Sequence, residues 1–194
     1  MRAARTITAL VALVATACTP LPEKKADGRV DEPLPATTTT VPQLPPRPRD
    51  LPLDQVDPCA VLSPEQRLQL SLDHEPSPYL ETSFGNAKAC TMRSGISGNV
   101  VRLALVTAEG VGVWLSENAQ LDAKATTVVG FPALTVRTPG LDEVCNVEVD
   151  VAPSQFLDVM FRDGGNKTKV SQDILCQGAQ RAAEAAVAGL LQRG

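Results

Sequence analysis

The only histidine of the chain is the first candidate for chemistry. Ser–His–Asp and Cys–His devices both use a histidine as base, and His74 lies between Asp73 and Glu75 in the proline-broken segment LDHEPSPY. One histidine among acids in a loop is typical of a solvated side chain. We therefore predict that His74 is not catalytic.

Two alternating acids are the second candidate. Glu148 and Asp150 belong to CNVEVDV, and a strand would place them on one face, about 7 Å apart. Paired carboxylates can hydrolyse a glycosidic bond, but alternating acids are also typical of the wet face of an antiparallel sheet. We therefore favour solvent exposure. G-x-S-x-G, H-E-x-x-H and phosphate-binding glycine motifs are also absent from the sequence. The prediction is a non-enzyme with no catalytic residues and no cofactor.

Four inner cysteines are the third candidate. Cys59, Cys90, Cys145 and Cys176 contain no C-x-x-C pair and lie about 30 residues or more apart, and His74 is the only histidine. We therefore predict no metal site. An even set of cysteines suits an oxidising compartment, where it forms disulfides.

The first residues read as an export signal. Two arginines in Met1–Arg5 precede an apolar stretch from Thr6 to Val14 and the small residues 15–17. This stretch is too short to span a bilayer as a permanent helix. We predict that residues 1–17 form a signal peptide.

Cys18 decides between two modes of export. The small residues before it fit ordinary A-x-A cleavage, and together with Cys18 they also fit a lipobox, in which the cysteine is diacylated before cleavage. Lipidation of Cys18 leaves an even number of cysteines, which favours the lipoprotein over plain secretion or an uncleaved signal anchor. Acyl chains such as palmitate would hold the protein on the extracytoplasmic face of the cell membrane.

Composition divides the rest of the chain into a tether and a domain. The net charge is −4 with mixed signs, which excludes the dense basic patch that nucleic acid requires. Residues 18–56 are rich in proline and threonine and lack periodicity, so we predict a disordered tether that reaches on the order of 100 Å. Residues 57–194 are predicted to form a single domain. Aromatic residues make up only 3% of the chain, so this domain needs additional staples.

The domain reads as α+β. Ser63 and Gln66 form a capping-box pattern for a short helix from about Pro64 to Ser71, whose buried stripe would be Val61, Leu68 and Leu72. Strand patterns follow, including an extended stretch TTVVGFPALTVR with a bulge or bend at Gly130 and Pro132. The clearest pattern is a hairpin of CNVEVDV and QFLDVMF around Pro153 and Ser154. A long C-terminal helix capped by Ser171 would bury a stripe that consists of Ile174, Leu175, Ala179, Ala182, Ala183, Ala186, Val187, Leu190 and Leu191. We predict an antiparallel meander with both helices packed on one face.

The hairpin also suggests a disulfide pairing. It places Cys145 close to Phe161, and the chain then returns within ten residues to a helix that carries Cys176 in its second turn. Cys145–Cys176 is therefore reasonable, and Cys59–Cys90 follows by default. This is one of three possible connectivities.

Several short motifs occur together in one order. They are DPCAVLSPEQ after the lipobox and tether, C-T-M at Cys90, VVGFPAL, CNVEVDV and ILCQGAQRAAEAAVAGL. From Asp57 to about Leu191 the chain resembles the actinobacterial lipoproteins grouped as domain of unknown function 3558. That family commonly has a tryptophan where Met92 stands here. The resemblance implies an exported, lipid-anchored α+β domain with conserved cysteines and assigns no reaction.

The expected function is a non-enzymatic binding or interaction module of the cell envelope. Its partners would be the membrane, through the N-terminal lipid, and an envelope protein. The alternative is a carrier that holds a lipid or another small apolar ligand between sheet and helices, where small side chains leave room. A closely filled sheet–helix interface would argue against this carrier.

Overall fold

The structure is a computed structural model that describes residues 43–116, 121–165 and 168–193. Cys18, the signal peptide and the tether up to residue 42 lie outside the described residues. Within those ranges, no helix has both the length and the apolar character needed to cross a membrane.

In the described residues, seven strands form one antiparallel sheet, and two α-helices accompany it. The strands are β1 (Ser77–Glu81), β2 (Ala87–Arg93), β3 (Val100–Val106), β4 (Asp122–Val128), β5 (Phe131–Arg137), β6 (Val144–Ala152) and β7 (Gln155–Arg162). The helices are α1 (Pro64–Gln69) and α2 (Gln172–Leu191). The predicted α+β class is confirmed.

The sheet joins two meanders rather than forming one. Its strand order is β1-β2-β3-β7-β6-β5-β4, so β7 pairs with β3 after the chain has crossed to the far edge. Short 3-10 helices at Pro58–Ala60, Thr82–Phe84 and Val111–Leu115 complete the fold. The 3-10 helix Val111–Leu115 lies in the connection from β3 to β4. This connection carries the chain to the far edge of the sheet, so the second meander returns in the order β4, β5, β6, β7 toward β3.

The β6–β7 hairpin has the predicted arrangement. Cys145 lies opposite Phe161, and Val147 lies opposite Val159. The buried face of the hairpin consists of Cys145, Val147, Val149, Val151, Leu157, Val159 and Phe161. Strict alternation of apolar residues produced this prediction, and it holds because one face of the hairpin packs under α2.

The prediction of one extended stretch with a bulge or bend at Gly130 and Pro132 is only partly correct, because the chain reverses at Gly130 while Pro132 lies within a strand. The stretch is a second hairpin, in which β4 and β5 pair from Asp122 with Arg137 to Val128 with Phe131. Val129 and Gly130 form the turn with φ of 50° and 82°, as a two-residue hairpin turn requires. The sequence concealed this turn because valine is a poor residue for a left-handed position.

Helix α2 covers one face of the sheet through small side chains. Its buried residues are Leu175, Cys176, Gly178, Ala179, Ala182, Ala183, Ala186, Val187, Gly189 and Leu190. Ile174, predicted to be buried, is 53% exposed, because the stripe begins one residue later. The disulfides Cys59–Cys90 and Cys145–Cys176 are both present. The second bridge fixes α2 to β6, and the first fixes the 3-10 helix Pro58–Ala60 to β2.

Helix α1 begins with the predicted capping box. The Gln66 backbone N–H donates to the Ser63 hydroxyl, and the Ser63 backbone N–H donates to the Gln66 side chain. The predicted stripe is only partly correct, since Val61 and Leu72 are buried but Leu68 is 69% exposed. Helix α1 is short and has no buried residues, so it packs against the domain through the residues at its ends and not through a helix face.

Residues 43–56 correct the predicted domain boundary. They contain no helix or strand, but Leu51 and Leu53 are buried in the core. The Leu51 backbone N–H donates to the Val151 carbonyl at 2.7 Å, and Arg47 donates to both carboxylate oxygens of Asp150 at 2.7 Å. The packed domain therefore includes at least Arg47 onward. Its irregular backbone gave no periodicity from which packing can be recognised.

Candidate functional site

His74 lies on an exposed loop, as predicted. Its backbone N–H donates to the Arg93 carbonyl at 3.2 Å. The neighbouring Asp73 carboxylate accepts the Gly95 backbone N–H at 2.7 Å, and this bond lowers the pKa of Asp73. His74 has no hydrogen bond to a serine or cysteine side chain in the described ranges. These contacts anchor a loop and supply no catalytic device.

The structure separates the two predicted acids and contradicts the expected solvent exposure. Asp150 is ion-paired with Arg47, whereas Glu148 is fully buried. The face opposite α2 is not wet at this point, because the 3-10 helices Thr82–Phe84 and Val111–Leu115 and residues near Leu44 cover it. Phe84, Trp114 and Phe156 meet there edge to face, with ring centroids 5.6–6.4 Å apart.

Glu148 has a different partner from the predicted one. It lies directly opposite Asp158 of β7, and Asp158 is fully buried too. Burial, together with the negative charge of Asp158, raises the pKa of Glu148 well above its usual range. Burial therefore favours the neutral, protonated form of Glu148. A glycosidase needs one exposed carboxylate pair flanking a bond, and this pair is closed off from solvent.

A polar network surrounds Asp158. Arg102 donates to Asp158 from Nε at 2.9 Å and to Glu81 from Nη1 at 2.7 Å. The Asn146 amide donates to the other Asp158 oxygen at 2.6 Å. The Tyr79 hydroxyl completes the network by donating to Glu81 at 3.1 Å.

The network fills a trough left by small side chains. Ala89 and Ala104 lie in the same cross-strand row as Asp158, and both are fully buried. The Arg102 guanidinium also lies 5.8 Å from the centroid of the Phe84 ring. Every polar member except Glu148 is paired within the network, so it is a structural filling of this face with no group left to act on a substrate.

A cavity of about 370 Å³ lies on the other face, where three chain segments meet. These segments are α1 with its C-terminal end, the β2–β3 turn and the middle of α2. The lining residues are Gln66, Gln69, Leu70, Ser71, Ser97, Asn99, Phe161, Arg181 and Ala185. This volume is at the lower end of the range for small-molecule sites. We refer to this feature as the α1–α2 cavity.

Close packing around Gln66 and Gly178 shapes the α1–α2 cavity. The Gln66 side chain joins the capping box and also donates to the Ala185 carbonyl at 2.9 Å, so one residue fixes α1 on α2. A Cβ added to Gly178 would come within 2.8 Å of three Phe161 ring atoms. The missing side chain therefore lets α2 lie against this ring, which forms the cavity floor.

Ser71 occupies a strained position on the cavity wall. Its φ is 58°, a left-handed conformation that glycine adopts at helix C-termini without steric cost. Its backbone N–H donates to the Leu68 carbonyl at 2.9 Å, but its hydroxyl makes no hydrogen bond within the described residues. The side chain of Gln69 is likewise unengaged there.

The cavity contains one cation and no anion. Arg181 makes no ion pair with any described residue. Nearby acids have other partners: Asp173 accepts from Arg137 at 2.6 Å, and Glu184 accepts from Gln180 at 2.9 Å. The site can therefore attract negative charge, but its lining has no carboxylate, histidine or cysteine for acid–base or nucleophilic chemistry.

Sequence reasoning did not identify the α1–α2 cavity as a site. Gln66 was recognised only as a capping residue, and Arg181 was not singled out. The available signal was a serine at the end of a helix where glycine is usual, and its meaning depends on three segments that are far apart in sequence. For metals, the described ranges contain no group of three or more His, Cys, Asp or Glu residues able to hold an ion.

Comparison with known proteins gives one result. No curated protein and no solved structure matches the chain. A model of the family described as "Protein of unknown function (DUF3558)" matches residues 13–189. Because this match covers nearly the whole sequence, the chain belongs to that family.

Proposed function

We propose that this protein is an exported, lipid-anchored binding module that holds a small ligand in the α1–α2 cavity without converting it. The observation that carries the proposal is the composition of the lining. Gln69, Ser71 and Arg181 offer unengaged donors and acceptors, but neither lining serine has a base within the site. Such a set recognises a molecule and cannot activate a nucleophile.

The anchoring half of the proposal rests on the sequence. The basic start, the short apolar stretch and Cys18 support a lipoprotein signal, and Cys18 is the one cysteine outside the two disulfides. Because Arg47 is already bound to the domain, the tether runs from Thr19 to about Pro46. At about 3 Å per residue this segment reaches on the order of 80 Å.

A carrier with its ligand between sheet and helix is less well supported. Ala179, Ala183 and Ala186 of α2 are fully buried against the sheet, and Gly178 has no space for an added methyl group. The small residues of α2 allow close approach and do not leave a channel. A ligand site at the margin of the helix agrees better with this packing.

Native mass spectrometry of the full-length protein, gently extracted from its own membrane, tests the binding half. We expect a bound molecule on the wild type that is lost in Ser97→Trp, where the new ring fills the cavity. Ile96→Trp is the matched control, since Ile96 is 87% exposed on the same turn and does not line the cavity. Retention by Ser97→Trp, an empty wild type or chemical conversion of the ligand would contradict the proposal.

The anchoring half has a separate test. Cys18→Ser removes the thiol that would be acylated, so the protein should move from the membrane fraction to the soluble extracytoplasmic or culture fraction. Two acyl chains give stable attachment, so the expected change is nearly complete. If the variant stays in the membrane, the lipidation of Cys18 is not what anchors the chain.

A further inference from the structure

We propose that the ligand of the α1–α2 cavity is a small polyhydroxylated anion, that is, a sugar acid or a sugar phosphate. This inference rests on the proposed binding function and names the class of ligand. Arg181 takes the negative charge, and Gln69 and Ser71 bind hydroxyl groups. The two possible sources of charge, carboxylate and phosphate, share one recognition chemistry at a guanidinium.

The charge of the ligand follows from the surroundings of Arg181. It is the only charged residue among the nine that line the cavity. Asp173 and Glu184 are the acids beside it in the adjoining hollow; Asp173 is ion-paired with Arg137, whereas Glu184 accepts a hydrogen bond from the neutral Gln180 amide, and neither of these two described acids forms an ion pair with Arg181. A guanidinium presents a planar fork of donors that matches a carboxylate or phosphate. An anionic ligand can therefore bind Arg181 without breaking an existing ion pair.

The hydroxyl groups of the ligand follow from the neutral polar lining. Amide and hydroxyl side chains both donate and accept, and they surround the cavity on two sides, with Gln69 and Ser71 from the α1 segment and Ser97 from the turn. A purely apolar ligand would bury the side chains of Gln69 and Ser71 unpaired, at a cost of about 1–3 kcal/mol each, whereas the Ser97 hydroxyl already accepts the Asn99 backbone N–H at 3.3 Å. Ligand hydroxyls have the same dual character and satisfy the unpaired side chains.

The size and floor of the cavity limit the ligand further. A volume of about 370 Å³ accommodates a small molecule and excludes a long acyl chain. Leu70, Phe161 and Ala185 provide a small apolar floor, which suits the C–H face of a sugar ring. The combination of one cation, several neutral polar groups and a short apolar floor distinguishes a sugar derivative from a simple inorganic anion.

The Ser71 side chain lies at a strained backbone position, as do Asn86, Val129 and Ser154. A left-handed backbone costs a non-glycine residue about 1–2 kcal/mol, and the Ser71 hydroxyl makes no compensating hydrogen bond in the described part of the chain. A hydroxyl that contacts a ligand gives a reason for serine at a position where glycine is more stable. Ser71→Gly should therefore stabilise the domain and weaken ligand binding.

The test is an NMR titration of the full-length chain carrying Cys18→Ser. The probes are D-glucuronate and D-glucose 6-phosphate, with D-glucose and acetate as the neutral and non-sugar controls. We expect the two acidic sugars to shift backbone amides of Gln69, Ser71, Ser97 and Arg181 at millimolar concentration, with the stronger probe identifying the source of charge. Arg181→Gln should weaken this binding about tenfold, and Arg162→Gln, on the opposite face, should not.

The remaining outcomes separate this inference from the proposed function. Glucose that binds as well as the acidic sugars, with no effect of Arg181→Gln, would overturn the anionic assignment while leaving a binding module. Acetate that matches glucuronate would overturn the polyhydroxylated assignment. If the extracted protein carries a ligand by mass spectrometry but no acidic sugar shifts the cavity amides, the ligand class is wrong and the binding function stands. Arg181 is exposed, so its substitution leaves folding intact.

Discussion

Glu148 and Asp158 lie opposite each other on β6 and β7, both fully buried, yet only Asp158 has polar partners. Asp158 receives hydrogen bonds from Arg102 and Asn146. Both carboxylate oxygens of Glu148 lack a hydrogen-bond partner in the described part of the chain. Burial raises the pKa of both carboxyl groups, and at Asp158 the Arg102 guanidinium opposes this effect by favouring the anion.

The first prediction concerns stability against pH. Because burial raises the pKa of Glu148, the native state keeps a proton that the unfolded chain loses above about pH 4.3. The free energy of unfolding should therefore be highest below that pH and fall as the pH rises toward the native pKa. Glu148→Gln should flatten this decline.

Urea unfolding between pH 5 and pH 8 measures this effect. Asp142→Asn is the control, since Asp142 is an exposed acid whose ion pair with Lys169 lies on the surface. It should leave the decline of the free energy of unfolding with pH unchanged. An equally steep slope in Glu148→Gln would show that the decline arises from other groups.

The second prediction concerns the β4–β5 turn. Val129 has a φ of 50° and is 50% exposed, so it carries left-handed strain and adds little to the core. Val129→Asn should raise the free energy of unfolding by about 1 kcal/mol, because asparagine tolerates this conformation better. Val113→Asn is the matched control, an exposed valine without positive φ, and a similar gain there would contradict the explanation.

The sequence predicted elements whose local pattern matches their packing. The β6–β7 hairpin alternates strictly, the Ser63–Gln66 box caps α1 as expected, and the alanine stripe of α2 faces the sheet. The predicted burial of Leu68 and Ile174 was wrong, because a helical period indicates a broad buried face but does not define its margins. The β4–β5 hairpin was not predicted, because valine occupies a turn position that usually holds glycine.

The sites were less predictable than the elements. Glu148 was predicted to be exposed because the alternation of apolar and acidic residues suggested a sheet with one face in solvent. The segments that cover this face are short and have no periodicity that the sequence would reveal. The α1–α2 cavity joins α1, the β2–β3 turn and α2 through Gln66, Ser97 and Arg181. None of these carries a motif, so only their assembly in space identifies the site.

The third prediction concerns the two disulfides. Each closes a loop with a sequence separation of 31 residues, so chain entropy gives each about 3–4 kcal/mol of stabilisation. A Cys145→Ser, Cys176→Ser double variant and a Cys59→Ser, Cys90→Ser double variant should each lose that amount in urea unfolding. Full reduction of the wild type removes both disulfides, so it should lower the free energy of unfolding by more than either double variant does. If the fully reduced wild type had the same free energy of unfolding as the oxidised protein, this account would be contradicted.

The fourth prediction concerns the contact of α2 with the sheet. Gly178→Ala would force a methyl group against the Phe161 ring, and we expect a loss of about 1–3 kcal/mol. Gly112→Ala is the control, since an added Cβ there has no atom within 4 Å. It should be neutral within about 0.5 kcal/mol. Equal effects of the two substitutions would mean that the close approach of α2 is not required.

The fifth prediction concerns where the domain begins. A chain that starts at residue 57 loses the buried side chains of Leu51 and Leu53 and the Arg47–Asp150 ion pair. Two buried leucines are worth about 1.5–3 kcal/mol each, so this chain should unfold at a clearly lower urea concentration than one that starts at residue 43. Leu51→Ala with Leu53→Ala in the full-length chain should reproduce most of the loss, whereas Arg49→Ala, at an exposed side chain, should not. Equal stability of the two shortened chains would return residues 43–56 to the tether and lengthen its reach accordingly.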